Sequence, residues 1–187
     1  MYQIRSGVFE TNSSSTHSIV ISKAPAKNFP KHITFHAGEY GWENAIVDSN
    51  GDYLFTAILD GNPTKLYDRL HRLCERLTFL GIEAKFYFPP YRFCHGYGCF
   101  EDCYIDHGYE CDQFIEAVLT DADLLSRFLF GDSCIYTGND NQDPDPAGCD
   151  IGCATYFQYD DDDCFDGKEV PNPFHDEEHY QYFMKGN

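Results

Sequence analysis

An α+β fold is predicted for this chain, with a small mixed sheet packed by one long amphipathic helix. Three observations predict it. Apolar and polar residues alternate in the HITFHAG stretch of residues 32–38, as in a half-buried strand. Leucines recur at helical spacing between Leu66 and Leu80. From residue 139 to residue 172, Asp, Gly, Pro and Asn dominate, which predicts a loop-rich, Cys- and Asp-rich C-terminal portion.

The first half of the chain supplies the strands of the predicted sheet. Residues 2–4 and 18–22 read as short strands on either side of a Ser/Thr-rich turn, and residues 32–38 form the third. The DSNGD segment, residues 48–52, is a turn by composition. The IEAKFYFPP segment, residues 82–90, is a returning strand that two prolines stop.

The long helix begins after Pro63 and ends at Gly81, as helix termini prefer. Its apolar face consists of five leucines: Leu66, Leu70, Leu73, Leu77 and Leu80. Its other face is basic: Lys65, Arg69, Arg72 and Arg76. We expect solvent to cover this basic face. The alternative is that it docks the acidic half of the chain or an RNA.

The second half of the chain predicts shorter elements. Residues 111–119 and 120–131 read as two helices, the second closed by Gly131, and residues 133–138 read as a strand. A helical turn is expected near the C-terminus, in FHDEEHYQYFMK. Residues 1–90 are predicted to form a neutral α+β core and residues 91–187 an acidic portion packed on it, unless both form one domain.

The net charge of −18 lies entirely in the second half. Residues 1–90 hold nine Lys/Arg and nine Asp/Glu, whereas residues 91–187 hold four and 22. Such a field repels nucleic-acid phosphates and attracts basic surfaces. This charge excludes direct, charge-driven DNA binding and favours a basic nucleic-acid-binding protein or a ribonucleoprotein, such as a Cas effector, as partner.

The cellular setting predicted from the sequence is the cytoplasm, without a membrane partner. The first residues, MYQIRSGVFETN, contain no apolar run of signal-peptide length, and no stretch approaches a membrane span. Nine cysteines are therefore expected as reduced thiols or metal ligands rather than as a disulfide framework.

The Ser/Thr-rich stretch near the N-terminus contains a candidate catalytic trio. Glu10 and His17 are the base and the acid, and Arg5 steadies an anionic transition state. These groups would suit a small nuclease or phosphate-ester hydrolase, including one that cleaves RNA. The alternative is that the hydroxyl groups only bond to the backbone of a turn.

The same stretch, RSGVFETNSSSTHSIVI, resembles the N-terminus of a group of phage and mobile-element proteins of Gram-positive bacteria, which begin with a sequence similar to VFETNSSSTHS. The likeness is confined to the start of the chain and implies origin rather than mechanism. In size and charge the chain is also similar to acidic phage inhibitors of host defence, including anti-CRISPR proteins. That resemblance implies an inhibitor, and it carries no assigned role over to Glu10 or His17.

A cysteine cluster offers the only cofactor predicted from the sequence, a structural zinc ion. Its four ligands would be Cys94, Cys99, Cys103 and Cys111, within 18 residues of one another. The gaps lack the paired Cys-x-x-Cys of a zinc knuckle. The alternative is scattered reduced thiols that pack as small hydrophobes.

The acidic segment YDDDDCFDG, residues 159–167, is the candidate partner-binding site. Its carboxylates can imitate a phosphate backbone in a cleft lined by Lys and Arg, and its aromatic residues can anchor the contact. The residues are Asp160, Asp161, Asp162, Asp163, Asp166, Tyr159 and Phe165. The alternative is a solvated acidic segment. The preferred hypothesis is an anti-CRISPR-like inhibitor that occupies a basic nucleic-acid-binding groove; the nuclease and the zinc protein are its alternatives.

Overall fold

The computed structural model describes residues 15–41, 45–94, 97–106, 111–139, 155–158 and 168–184. Within these ranges the chain forms four helices and several small sheets, so the predicted α+β class is confirmed. None of the described helices combines the length and the apolar character needed to cross a membrane.

The largest sheet has four antiparallel strands and takes them from both halves of the sequence. Its order is β12 (Tyr180–Met184), β1 (Ser15–Ser22), β9 (Cys134–Asn139) and β4 (Ala45–Ile46). Both β1 and β9 therefore have a neighbour on each side. Ile19, Val20 and Ile21 of β1 are all buried, as expected for a strand covered on both faces.

A parallel pair joins β2 (His32–His36) to β5 (Glu83–Tyr87), and it confirms two predicted strands. Phe35 stacks on its cross-strand neighbour Phe86 with the ring centroids 4.9 Å apart. These stacked rings lie close to the ring of Phe55 in the core. Such side-chain pairs stabilise a sheet.

Three short strand pairs complete the β-structure. They are β3 (Glu39–Tyr40) with β8 (Tyr104–Ile105), β6 (Tyr91–Cys94) with β7 (Tyr97–Phe100), and β10 (Thr155–Gln158) with β11 (Lys168–Pro171). The first is parallel, and the other two are antiparallel hairpins.

The helix α1 (Asn50–Asp60) replaces the turn predicted at residues 48–52. That prediction is wrong because Ser49 is an N-cap: its side-chain oxygen accepts a hydrogen bond from the Asp52 N–H. The helix is buried on almost every side, and Tyr53 is fully buried within it.

The predicted long helix is confirmed as α2 (Leu66–Phe79), with Leu73 and Leu77 fully buried. The two shorter helices are confirmed as α3 (Asp112–Thr120) and α4 (Ala122–Phe130). Asp121 stands between them and caps α4, accepting hydrogen bonds from the N–H groups of residues 123 and 124.

Two predictions for the C-terminal region are confirmed only in part. The helical turn expected in FHDEEHYQYFMK is present as a short 3-10 helix (Pro173–His175), but the later residues form β12, which pairs with β1. The strands β10 and β11 lie inside the region predicted to be loop. The strand predicted at residues 2–4 lies outside the described residues.

Candidate functional site

His17 lies in β1, opposite Thr137 of β9, and not in a turn. Only 3% of the residue is exposed. Its ring Nε2 is 2.7 Å from the backbone oxygen of Asp106, and its Nδ1 is 3.1 Å from the Tyr53 hydroxyl. Both ring nitrogens are thus occupied inside the fold.

These contacts determine which tautomer a neutral His17 ring adopts. A carbonyl oxygen only accepts, so His17 Nε2 carries the hydrogen and Nδ1 accepts from the Tyr53 hydroxyl. The Tyr53 oxygen is 3.5 Å from Cys111 Sγ, and the thiol can donate to it. Burial raises the pKa of Tyr53 well above its usual value, which keeps the hydroxyl protonated. The result is a hydrogen-bonded chain from Cys111 to Asp106.

Gly41 packs directly against this chain. Its φ of +110° is a conformation that favours glycine, and a Cβ added there would lie 2.8 Å from the Asp106 Cβ and 3.1 Å from the His17 ring. The close packing favours a structural role for His17. The catalytic trio stays a prediction, because Arg5 and Glu10 lie outside the described residues.

The three described cysteines among the four predicted to bind zinc have different surroundings. Cys99 is exposed and Cys103 is buried; Cys111 is buried beside Tyr53, and the Cys94 side chain lies outside the described part. Burial, reinforced by the charge of Asp60, raises the pKa of Cys103 to about 12, so without a metal ion this sulfur is a thiol. Among the described residues, no three His, Cys, Asp or Glu side chains are placed to hold a metal ion. Zinc at the four cysteines stays a prediction.

The basic face of α2 is not left to solvent, which overturns the expectation from its sequence. It packs on α3. The Arg69 side chain is fully buried, with Nε donating to Glu116 Oε1 at 3.0 Å and Nη2 lying 2.8 Å from Asp112 Oδ1. Only the Nε contact has the alignment of a hydrogen bond; the Nη2 contacts are ion pairs without it.

The other basic side chains of this face reach the same helix. Lys65 Nζ lies 3.2 Å from Asp112 Oδ2, and Arg72 Nη1 lies 2.7 Å from Glu116 Oε2. Arg76 Nε donates to the backbone oxygen of Leu119 at 3.1 Å. The cations of α2 are therefore engaged within the fold.

The carboxylates of α3 have correspondingly low pKa values. Burial opposes the ionisation of Asp112, but the ion pair with Arg69 and the hydrogen bond from Lys65 outweigh it and hold its pKa below the usual range. The hydrogen bond from Arg72 is the largest cause of the lowered pKa of Glu116.

The acidic segment of residues 159–167 lies outside the described residues, and so do all seven of its predicted partner-binding side chains. The strands on either side of it are described. They pair in antiparallel register, with Gln158 opposite Lys168. Residues directly opposite in such a pair have Cα atoms about 5 Å apart. The segment therefore joins the neighbouring ends of one β-hairpin, and we call residues 155–171 the acidic hairpin.

Comparison with known proteins gives no family: no family model, curated protein or solved structure matches the chain.

The residues that contact His17 could not be predicted from the sequence. Tyr53 and Asp106 are 36 and 89 residues away, and no local motif links them to it.

Proposed function

We propose that this protein is an inhibitor that binds a basic nucleic-acid-binding groove of a bacterial defence protein or ribonucleoprotein through its acidic hairpin. On this proposal the protein acts by occupying the groove. The binding residues are those of the acidic segment: Asp160, Asp161, Asp162, Asp163, Asp166, Tyr159 and Phe165.

The observation that carries the proposal is the pairing of β10 with β11 around that segment. Five aspartates and no Lys or Arg lie in the nine residues between the paired strands. Because both ends of the segment are held by the hairpin, its carboxylates share one short connection. A concentrated negative charge of this kind suits a cleft lined with Lys and Arg.

The contacts of α2 provide independent support. Its basic side chains are bound to Asp112, Glu116 and Leu119 of α3. Within the described residues these cations are therefore the partners of α3. The net charge of −18 means that acidic side chains outnumber all cations of the chain, and this excess attracts a basic partner.

The physical basis of binding is the exchange of counterions. A groove that binds nucleic acid holds mobile anions at low salt, and a carboxylate-rich segment releases them as phosphates do. Association should be fast and should weaken steeply as the salt concentration rises. Tyr159 and Phe165 add apolar contacts that salt does not screen.

The proposal also includes two more specific points: the protein is encoded by a phage or mobile element, and it is an anti-CRISPR-like inhibitor. They rest on the likeness of residues 5–21 and on the acidic composition.

Affinity capture from a Gram-positive bacterial lysate, at low and at high salt, tests the proposal. The tagged wild type should retain a basic nucleic-acid-binding protein that high salt or added nucleic acid releases. A variant with Asp160, Asp161, Asp162 and Asp163 all changed to Asn should not retain it. Equal capture by the two forms contradicts the proposal.

The captured RNA is analysed in the same experiment. Intact RNA agrees with occupation of a groove. Shortened RNA that becomes intact with Glu10→Gln would support the nuclease alternative instead. Glu10 is the better choice for this test, because replacing the buried His17 also removes contacts that the fold uses.

A further inference from the structure

Three exposed aromatic side chains lie where β5 is followed by β6. Phe88, Tyr91 and Phe93 are 52%, 61% and 75% exposed, and we call them the aromatic band. Tyr91 and Phe93 are two residues apart in β6 and so point to the same face of the hairpin. Exposed apolar surface that is contiguous marks an interaction site more often than isolated apolar residues do.

The fold holds two rings of the band in place. The Phe88 ring lies edge-on to the buried Phe55 ring, with centroids 5.3 Å apart, and the Tyr91 ring lies edge-on to Phe100 at 5.0 Å. Tyr91 also crosses Gly98, where an added Cβ would overlap its hydroxyl group. Since these rings are already positioned, binding to them costs little ordering entropy.

The cations near the band are held by neighbouring residues. Lys85 Nζ lies 4.4 Å from the centroid of the Tyr87 ring, and Arg92 pairs with Glu101. The band therefore presents neutral rings with electron-rich faces. A second copy of a chain with a net charge of −18 is opposed by repulsion, whereas a basic protein is attracted.

We propose that the aromatic band docks on arginine side chains of the basic partner protein. A guanidinium group is planar and weakly hydrated, so it stacks on an aromatic face better than the ammonium group of lysine does. The acidic hairpin attracts both cations by charge, and the aromatic band supplies the preference for arginine. This inference rests on the proposed function, because it takes the partner to be basic.

Binding of an oligo-arginine peptide and of an oligo-lysine peptide of equal length to the full chain tests the inference. Titration calorimetry at low salt should show tighter binding of the arginine peptide. Phe93→Ala combined with Tyr91→Ala should weaken arginine binding about two- to fivefold per ring and weaken lysine binding less. The matched control is Tyr67→Ala, which removes an exposed aromatic ring from α2 and should leave both affinities as they are.

The outcomes separate this inference from the proposed function. An arginine-to-lysine affinity ratio that is the same in the wild type and the band variants overturns the role of the aromatic band. A dimer in sedimentation that the band variants abolish overturns it as well, because a second copy would then be the occupant. The variant with Asp160, Asp161, Asp162 and Asp163 changed to Asn should weaken both peptides by the same factor. Unchanged affinity in that variant contradicts the role of the acidic hairpin and leaves the role of the aromatic band standing.

Discussion

Arg69 and Asp112 join α2 to α3 across the middle of the chain, with Nη2 of Arg69 2.8 Å from Oδ1 of Asp112. The Arg69 side chain is fully buried, whereas more than a third of the Asp112 side chain is exposed. Removing the partner of each charge should therefore lower the stability of the fold by a different amount. A buried cation without its carboxylates is expensive, and a partly exposed carboxylate without its cation is not.

This asymmetry predicts different effects for variants on its two sides. Asp112→Asn combined with Glu116→Gln leaves the buried Arg69 without a counter-charge and should lower the free energy of unfolding by about 3–5 kcal/mol. Arg69→Met should cost less than about 2 kcal/mol, because Lys65 and Arg72 still contact the two carboxylates. Urea denaturation measures both values.

The control for that comparison is Asp68→Asn. Asp68 is exposed and lies 3.5 Å from Arg72 within the same helix, so its loss should change the free energy of unfolding by less than about 0.5 kcal/mol. A larger loss in Arg69→Met than in the double variant would contradict the asymmetry.

The lowered pKa values of Asp112 and Glu116 predict a loss of stability in acid. A carboxylate whose pKa is lower in the folded state stabilises the fold at pH values above its unfolded pKa of about 4. This stabilisation is lost as the pH falls through the folded-state value. The urea midpoint should therefore fall below about pH 4 in the wild type and fall less in Glu116→Gln. Identical acid profiles for the two proteins would show that the α2–α3 contacts do not set the acid limit.

The buried chain at His17 predicts a stability effect for Tyr53→Phe. The change keeps the ring and removes the hydroxyl that donates to His17 Nδ1. The free energy of unfolding should fall by about 1–3 kcal/mol, since a buried hydrogen bond is lost. Tyr67→Phe, at an exposed position of α2, is the control and should have no effect. Equal urea midpoints for wild type and Tyr53→Phe would contradict the contact.

Two glycines with positive φ should respond differently to alanine. Gly41→Ala places a Cβ 2.8 Å from the Asp106 Cβ and should cost at least about 2 kcal/mol. Gly81→Ala meets nothing within 4 Å, so only the backbone cost of about 1 kcal/mol remains. Thermal unfolding of both variants tests the difference, and similar losses would contradict the close packing at Gly41.

The elements that could be predicted from the sequence are those that bury only one face. The leucines of α2 face the core along one stripe, and the helix Leu66–Phe79 lies between Pro63 and Gly81, as predicted. In contrast, α1 is covered on almost every side and its apolar residues show no single face. The Asn50–Gly51 dipeptide at its start is typical of turns, which concealed the N-cap.

The candidate site was less predictable, because its contacts depend on tertiary structure. The Ser/Thr-rich stretch marks His17 as a candidate residue, but Asp106 is 89 residues away and contributes a backbone oxygen that any residue would have. The arginines of α2 were expected to face solvent because they are charged, but at 3.6 residues per turn they flank the leucine stripe rather than oppose it. The packing of α3 on that face could not be predicted from the periodicity of α2 alone.

The most direct test of the central claim is competition between this protein and nucleic acid for the captured partner. A fluorescence anisotropy titration should show that the wild type displaces labelled nucleic acid from the partner, and that displacement weakens steeply with salt. The variant with Asp160, Asp161, Asp162 and Asp163 changed to Asn should displace it poorly. A complex in which the partner holds both nucleic acid and this protein at once would contradict occupation of the groove.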